Sequence, residues 1–164
     1  MTPLFHEKQY YHPAIYWLML VTIGVSSGPL LGAARTGKPI PTSVWPAYII
    51  MWAVLGLVFI FLFRQRITVL PGVVEISFGF VEIWRKSFDL SHVEKLEAVQ
   101  FNPLMDFGGW GIKRGRGGVW CYNVRGGTGV RLEGAKINAI IGTPYPAELL
   151  AALRAAKGAT ESQT

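Results

Sequence analysis

Cysteine is almost missing from this chain, with Cys121 alone in 164 residues. A single thiol builds neither a disulfide framework nor a thiolate metal cluster. Histidine is nearly as scarce: His6 and His12 precede the first apolar run, which leaves His92 as the one imidazole of the polar half. General acid–base or nucleophilic catalysis needs a base within reach of a nucleophile, and His92 sits beside Ser91 and Glu94 in what reads as a surface turn. Charge is missing over a longer stretch, because between Tyr10 and Phe63 only Arg35 and Lys38 are charged. The remainder, Arg64 to Thr164, carries thirteen Lys and Arg against nine Asp and Glu, so the chain divides between two solvents.

The apolar half holds two runs without an ionisable residue, "AIYWLMLVTIGVSSGPLLGAA" over Ala14–Ala34 and "VWPAYIIMWAVLGLVFIFLF" over Val44–Phe63. Each approaches the ~20 residues a helix needs to cross a hydrocarbon layer, and neither has the wet stripe of a globular helix. They predict two transmembrane helices, 14–34 and 44–63, joined by an external loop, 35–43. The first run exceeds the roughly 7–15 apolar residues of a signal peptide, and Glu7 stands beside Lys8 ahead of it, so cleavage is not expected. Arg64, Arg66, Arg85 and Lys86 outnumber the two loop cations, which places the polar half and the 1–13 segment in the cytoplasm with Arg64 and Arg66 as topology anchors. Gly24, Gly28 and Gly32 fall on one helix face and predict close packing against the second span or another copy. With no charge in either span, ion transport through this hairpin alone is not expected.

After Arg66 the periodicity shortens to two. "ITVL" and "VVEISF" flank Pro71-Gly72 as a hairpin, and "FVEIWRKSF" continues as a third strand. A turn over Ser91 to Glu94 precedes a strand over Leu96 to Phe101, and "GWGIK", "VWCYNVR", "GVRLE" and "KINAIIG" bring the total to about seven. "PYPAELLAALRAAK" reads as an amphipathic helix, with Pro146 in the first turn and Leu149, Leu150 and Leu153 on one side. The domain thus covers 64–157, and 158–164 is a frayed tail.

The stretch "GGWGIKRGRGGVW", Gly108 to Trp120, holds six glycines and three cations. A phosphate-binding loop requires Lys followed by Ser or Thr, whereas Lys113 is followed by Arg114. A dinucleotide fingerprint fails because Arg114 stands where its last glycine belongs. Arg-Gly tracts that bind nucleic acid are long and low in complexity, whereas "VWCYN" interrupts this one. Turn chemistry between strands explains the glycines without a ligand. No motif implies a metal, a cofactor, a nucleic acid or a small-molecule substrate.

About seven strands and a closing helix resemble the pleckstrin-homology fold, a bent antiparallel sheet or barrel plugged by its C-terminal helix. In particular "FGGWGIKRG", "YNVRGGTGVRLEG" and "IIGTPYPAELLAAL" resemble the closing half of bacterial PH-like domains found beside two transmembrane helices. The resemblance implies an α+β protein of the bacterial cytoplasmic membrane. Phosphoinositide-binding relatives place Lys and Arg between their first two strands, a loop read here as Pro71-Gly72. Lys113, Arg114, Arg116, Arg125 and Arg131 remain as contacts for an anionic surface, at roughly 1 kcal/mol per cation near headgroups. The expectation is a non-enzymatic, membrane-anchored module that localises a protein partner, forms homo-oligomers or engages the lipid surface. The alternative is an accessory subunit packed into a larger membrane enzyme or transporter.

Overall fold

The computed structural model describes residues 3–11, 13–37, 40–62, 64–79, 82 and 84–161. The polar half folds because its strands alternate inward and outward side chains. In β2 (Arg64–Leu70), Gln65, Ile67 and Val69 are fully buried while Arg64, Arg66 and Thr68 face outward. Pro71-Gly72 turns the chain into β3 (Val73–Phe78), with Leu70 opposite Val73, and β4 (Trp84–Asp89) follows on the far edge. The third-strand expectation began at Phe80; Phe80, Val81 and Ile83 lie outside the described residues.

The first sheet has a fourth strand. The 1–13 segment, read from the sequence as a cytoplasmic N-terminal segment with no strand assigned, holds β1 (Phe5–Tyr10), which pairs antiparallel with β2 from Phe5 opposite Val69 to Tyr10 opposite Arg64. Its inward residues are half-buried Phe5 and the polar Glu7 and Gln9, so no apolar alternation marked it in the sequence. Nine strands stand among the described residues, against the seven expected.

The apolar runs form α1 (Pro13–Thr36) and α2 (Trp45–Leu62), entered through a 3₁₀ turn at Thr42–Val44. Two membrane-spanning helices were expected; among the described residues one, Tyr16–Thr36, is long and apolar enough to cross a bilayer, and the other apolar stretch, Thr42–Leu57, is shorter. The α1 side chains Trp17, Leu18, Leu20, Val21, Val25 and Leu31 are all more than half exposed, a surface no soluble core covers. Its hydroxyls bond back to its own carbonyls, Thr22 to Leu18 and Ser27 to Ile23. The Tyr48 hydroxyl donates to the Ser26 carbonyl at 2.9 Å and ties α2 to α1.

The second sheet contains β5 (Lys95–Gln100), β6 (Gly111–Arg114), β7 (Trp120–Asn123), β8 (Thr128–Gly134) and β9 (Ile137–Gly142), in the order β5-β8-β9-β7-β6. The expectation of a bent antiparallel sheet or barrel is corrected in two ways. The two sheets do not close into one barrel, and β7 runs parallel to β9. Between β5 and β6 lies a short helix, α3 (Pro103–Phe107), whose Asn102 cap accepts from the amides of Leu104 and Met105. The glycine-rich stretch that invited ligand readings forms the β6–β7 hairpin, with Gly117 and Gly118 at φ 76° and 78° in its loop. Left-handed backbone of this kind accounts for glycine there.

The chain closes with α4 (Pro146–Glu161). Fraying was expected from 158, but the helix continues to Glu161, and 162–164 lie outside the described residues. Leu149, Leu153 and Ala156 recur on one face, are fully buried, and pack across β2, β3, β5 and β8. The helix therefore plugs one end of the space between the sheets.

Candidate functional site

Where two open sheets face each other, their terminal strands leave a seam. Among the described residues β4 is the last strand of the first sheet and pairs only with β3. Opposite residues of an antiparallel pair share a face, so Trp84, Lys86 and Phe88 stand on the same side as buried Phe78, Ile76 and Val74. They line a groove of about 480 Å³ whose other wall carries Ile112, Trp120, Tyr122, Lys136 and Ile137.

The groove is built on aromatic contacts. The Trp84 ring meets Phe78 edge-on at 5.5 Å, and Tyr122 lies 5.6 Å from Trp84 and 5.7 Å from Phe88. Trp120 stacks beside Tyr122 with an 18° interplanar angle. Such pairs add about 0.5–1.5 kcal/mol each beyond burial and fix the wall geometry. Cations ring the opening. The Lys86 ammonium lies 5.8 Å from the Phe88 ring, Arg85 and Lys136 also line the groove, and the Arg114 guanidinium lies 5.7 Å from the ring of the lining residue Trp120. No carboxylate is among the lining residues.

The sequence-predicted cations do not form one rim. Arg114 reaches the groove through Trp120, and Lys113 is exposed on the other face of β6. Arg116 lines a second cleft with Phe101, Met105 and Phe107 beside α3. Arg125 sits past the far end of β7, in a third cleft with Lys8, Tyr10 and Tyr145. Arg131 is engaged by Glu133 at 3.1 Å and Asn138 at 3.3 Å. Arg64 and Arg66 share the outward face of the first sheet with Lys8, and Glu82 pairs with both Arg66 and Arg85. A side chain built at Gly24, Gly28 or Gly32 would meet nothing within 4 Å, so that helix face is open within the chain.

A buried polar seam joins β1 to the end of β9. Thr143 is fully buried; its hydroxyl donates to Glu7 Oε2 at 2.7 Å and accepts from the Tyr145 amide at 3.0 Å. Gln9 donates to the Gly142 carbonyl at 2.9 Å, and Gln65 to the Tyr122 carbonyl at 3.2 Å. Burial pushes the Glu7 carboxyl above the usual carboxylate range, hydrogen bonds from Thr143 and Gln9 oppose it, and like charge at Glu148 adds to it.

His92 ends a 3₁₀ turn, Leu90–His92, in contact with Asp89 and Ser91. The arrangement is a cap. The Ser91 hydroxyl donates to Asp89 at 2.6 Å and the Ser91 amide to the same oxygen at 2.9 Å, which hold the Asp89 carboxyl below its usual range. With the serine proton committed to Asp89 and all three groups at the surface, the trio lacks the enclosed relay of a nucleophilic site. Among the described residues no three His, Cys, Asp or Glu side chains gather as a metal site.

The sequence reading missed the groove. "WRKSF" places Trp84, Lys86 and Phe88 on one face and "WCY" does the same for Trp120 and Tyr122, but only the fold sets the two faces opposite each other. No family model, curated protein or solved structure matches the chain.

Proposed function

We propose that this protein is a non-enzymatic interaction module of the bacterial cytoplasmic membrane, with a PH-like domain held at the cytoplasmic surface by a helical hairpin. The β1–β2 pairing carries this reading. The β1–β2 ladder ends with Tyr10 opposite Arg64, so the chain leaves the domain just past buried Tyr11 and returns at Arg64. If α1 crosses the bilayer, α2 must bring the chain back to the face it left. Its 18 residues give about 27 Å of helix for the return.

Connectivity supports the PH-like part. Set aside the apolar excursion between β1 and β2, and the α3 and β6–β7 insertion between β5 and β8. Seven strands remain, each antiparallel to the next within its sheet, followed by α4. On this count the first inter-strand connection is the membrane hairpin rather than Pro71-Gly72. The domain is tethered through the loop in which phosphoinositide-binding relatives carry cations.

Topology labelling tests the reading. In sealed vesicles of the full chain, a membrane-impermeant maleimide should modify Ser87→Cys from the cytoplasmic side only and Thr42→Cys from the opposite side only. Modification of both from one side would overturn it. The accessory-subunit reading draws on the open face of Gly24, Gly28 and Gly32, and predicts a stoichiometric integral-membrane partner after gentle solubilisation.

A further inference from the structure

We propose that the groove along β4 binds an extended acidic peptide by strand addition, with two adjacent acidic side chains between apolar ones. The proposal rests on the interaction-module reading and names the partner chemistry of that module.

Two independent features meet at this groove. β4 ends its sheet with one row of backbone donors and acceptors turned away from β3, a template for another strand. The same edge carries Lys86 inward, with Lys136 on the opposite wall, and outward Arg85, whose charge Glu82 shares with Arg66. A second copy of this chain adding through the same edge would bring like charges together, whereas an acidic peptide complements them.

Register gives the motif. Across from Trp84 and Phe88 an added strand turns its side chains toward the aromatic wall, so apolar residues belong there. Across from Lys86 it turns an acid inward, and across from Arg85 it turns an acid outward. Ser87 between Lys86 and Phe88 suits a hydroxyl. Asp89, beyond Phe88, disfavours a third acid at that end. An antiparallel peptide therefore reads apolar, hydroxyl, acid, acid, apolar.

The test uses the full chain in neutral-lipid nanodiscs with the probe acetyl-Ser-Val-Thr-Glu-Glu-Val-Ser-amide, followed by fluorescence anisotropy of a labelled copy. Binding is expected, with weakening by roughly fivefold for Lys86→Glu, the effect of one partly exposed ion pair. A peptide with lysine at both acidic positions should show the reverse preference, binding Lys86→Glu better than the unsubstituted chain. N-methylation of alternate peptide amides should abolish binding in one register and spare it in the other, because only one set faces β4. Equal tolerance of both registers, or binding indifferent to Lys86→Glu, would overturn the proposal. No peptide binding, with Lys86 and Lys136 acylated more slowly in anionic than in neutral nanodiscs, would give the groove to the lipid surface and also overturn it. The topology labelling is read separately, so peptide binding with both cysteines on one side refutes the tether and leaves the groove standing.

Discussion

Thr143→Val tests whether the buried polar seam holds β1, and with it one of the two chain connections to the apolar helices α1 and α2. Valine matches threonine in shape, so packing is preserved while the hydroxyl is lost. Two groups then lose a partner, the Glu7 carboxylate and the Tyr145 amide. An orphaned buried polar group costs about 1–3 kcal/mol, and that cost falls on Glu7, because Tyr145 is exposed and its amide can turn to water. Because Glu7 and Gln9 are the buried residues of β1, the loss should appear as local opening of that strand. Amide exchange across Phe5–Tyr10 should accelerate by roughly fivefold to a hundredfold at 1.4 kcal/mol per decade, while β5 and β8 keep their protection. The pH dependence has a definite sign. Burial raises the Glu7 pKa, so the folded state binds its proton more tightly than the unfolded state, and stability falls as pH rises from the usual carboxylate range through the raised value. The Thr143→Val penalty should shrink in acid, where Glu7 is protonated, and reach its full size above the raised pKa. In the Thr143→Val background, Glu7→Met should recover part of the loss. Additive effects of the two substitutions, or unchanged exchange in β1, would refute the seam as the clasp.

Leu153→Ala truncates a fully buried contact between α4 and the sheets and should destabilise the domain by about 2–5 kcal/mol in denaturant titration of the full chain in detergent. Gly129→Ala would press a methyl group into the Ile141 carbonyl, so β8 and β9 must separate; the expected loss is about 1–3 kcal/mol, read as a lower melting temperature. Burial raises the Cys121 thiol pKa to about 12, so the folded chain should resist maleimide at neutral pH and react only in denaturant. Asn102→Ala removes the cap of α3 and should cost about 1 kcal/mol, with faster exchange at Leu104 and Met105 as the readout.

Legibility in this sequence followed the apolar signal. The β2–β3 hairpin, the turn before β5 and the buried face of α4 were readable because apolar alternation or helical spacing coincided with turn residues. β1 was hidden for a physical reason. "FHEKQY" alternates as a strand should, but beyond Phe5 its inward residues are Glu7 and Gln9, whose burial is offset by Thr143 and the Gly142 carbonyl more than 130 positions away. The groove was hidden similarly, since Trp84 and Tyr122 come from different sheets and no local pattern records which strands end up facing each other. The cations misled for the converse reason. Their closeness between Lys113 and Arg131 implied a shared surface, yet a β-strand carries alternate side chains to opposite faces and its two ends to opposite sides of the domain. Arg114 thus joins the groove while Arg125, eleven positions later, lies in a different cleft.

The hidden strand also decides how the domain should be handled. A fragment beginning at Arg64 lacks β1, so it exposes the backbone edge of β2 and removes the partners of Thr143 and Gly142. Joining Tyr11 to Arg64 through a short glycine-rich linker keeps the clasp, because Tyr10 and Arg64 are already opposite each other in the ladder. If the clasp and not the helical hairpin holds the fold together, the linked chain should be monomeric and unfold cooperatively, whereas the truncated one should aggregate through its opened edge. Two equally stable fragments would mean that β1 is incidental to the domain. The closed excursion between Tyr10 and Arg64 would then no longer support a hairpin returning to the same face of the membrane.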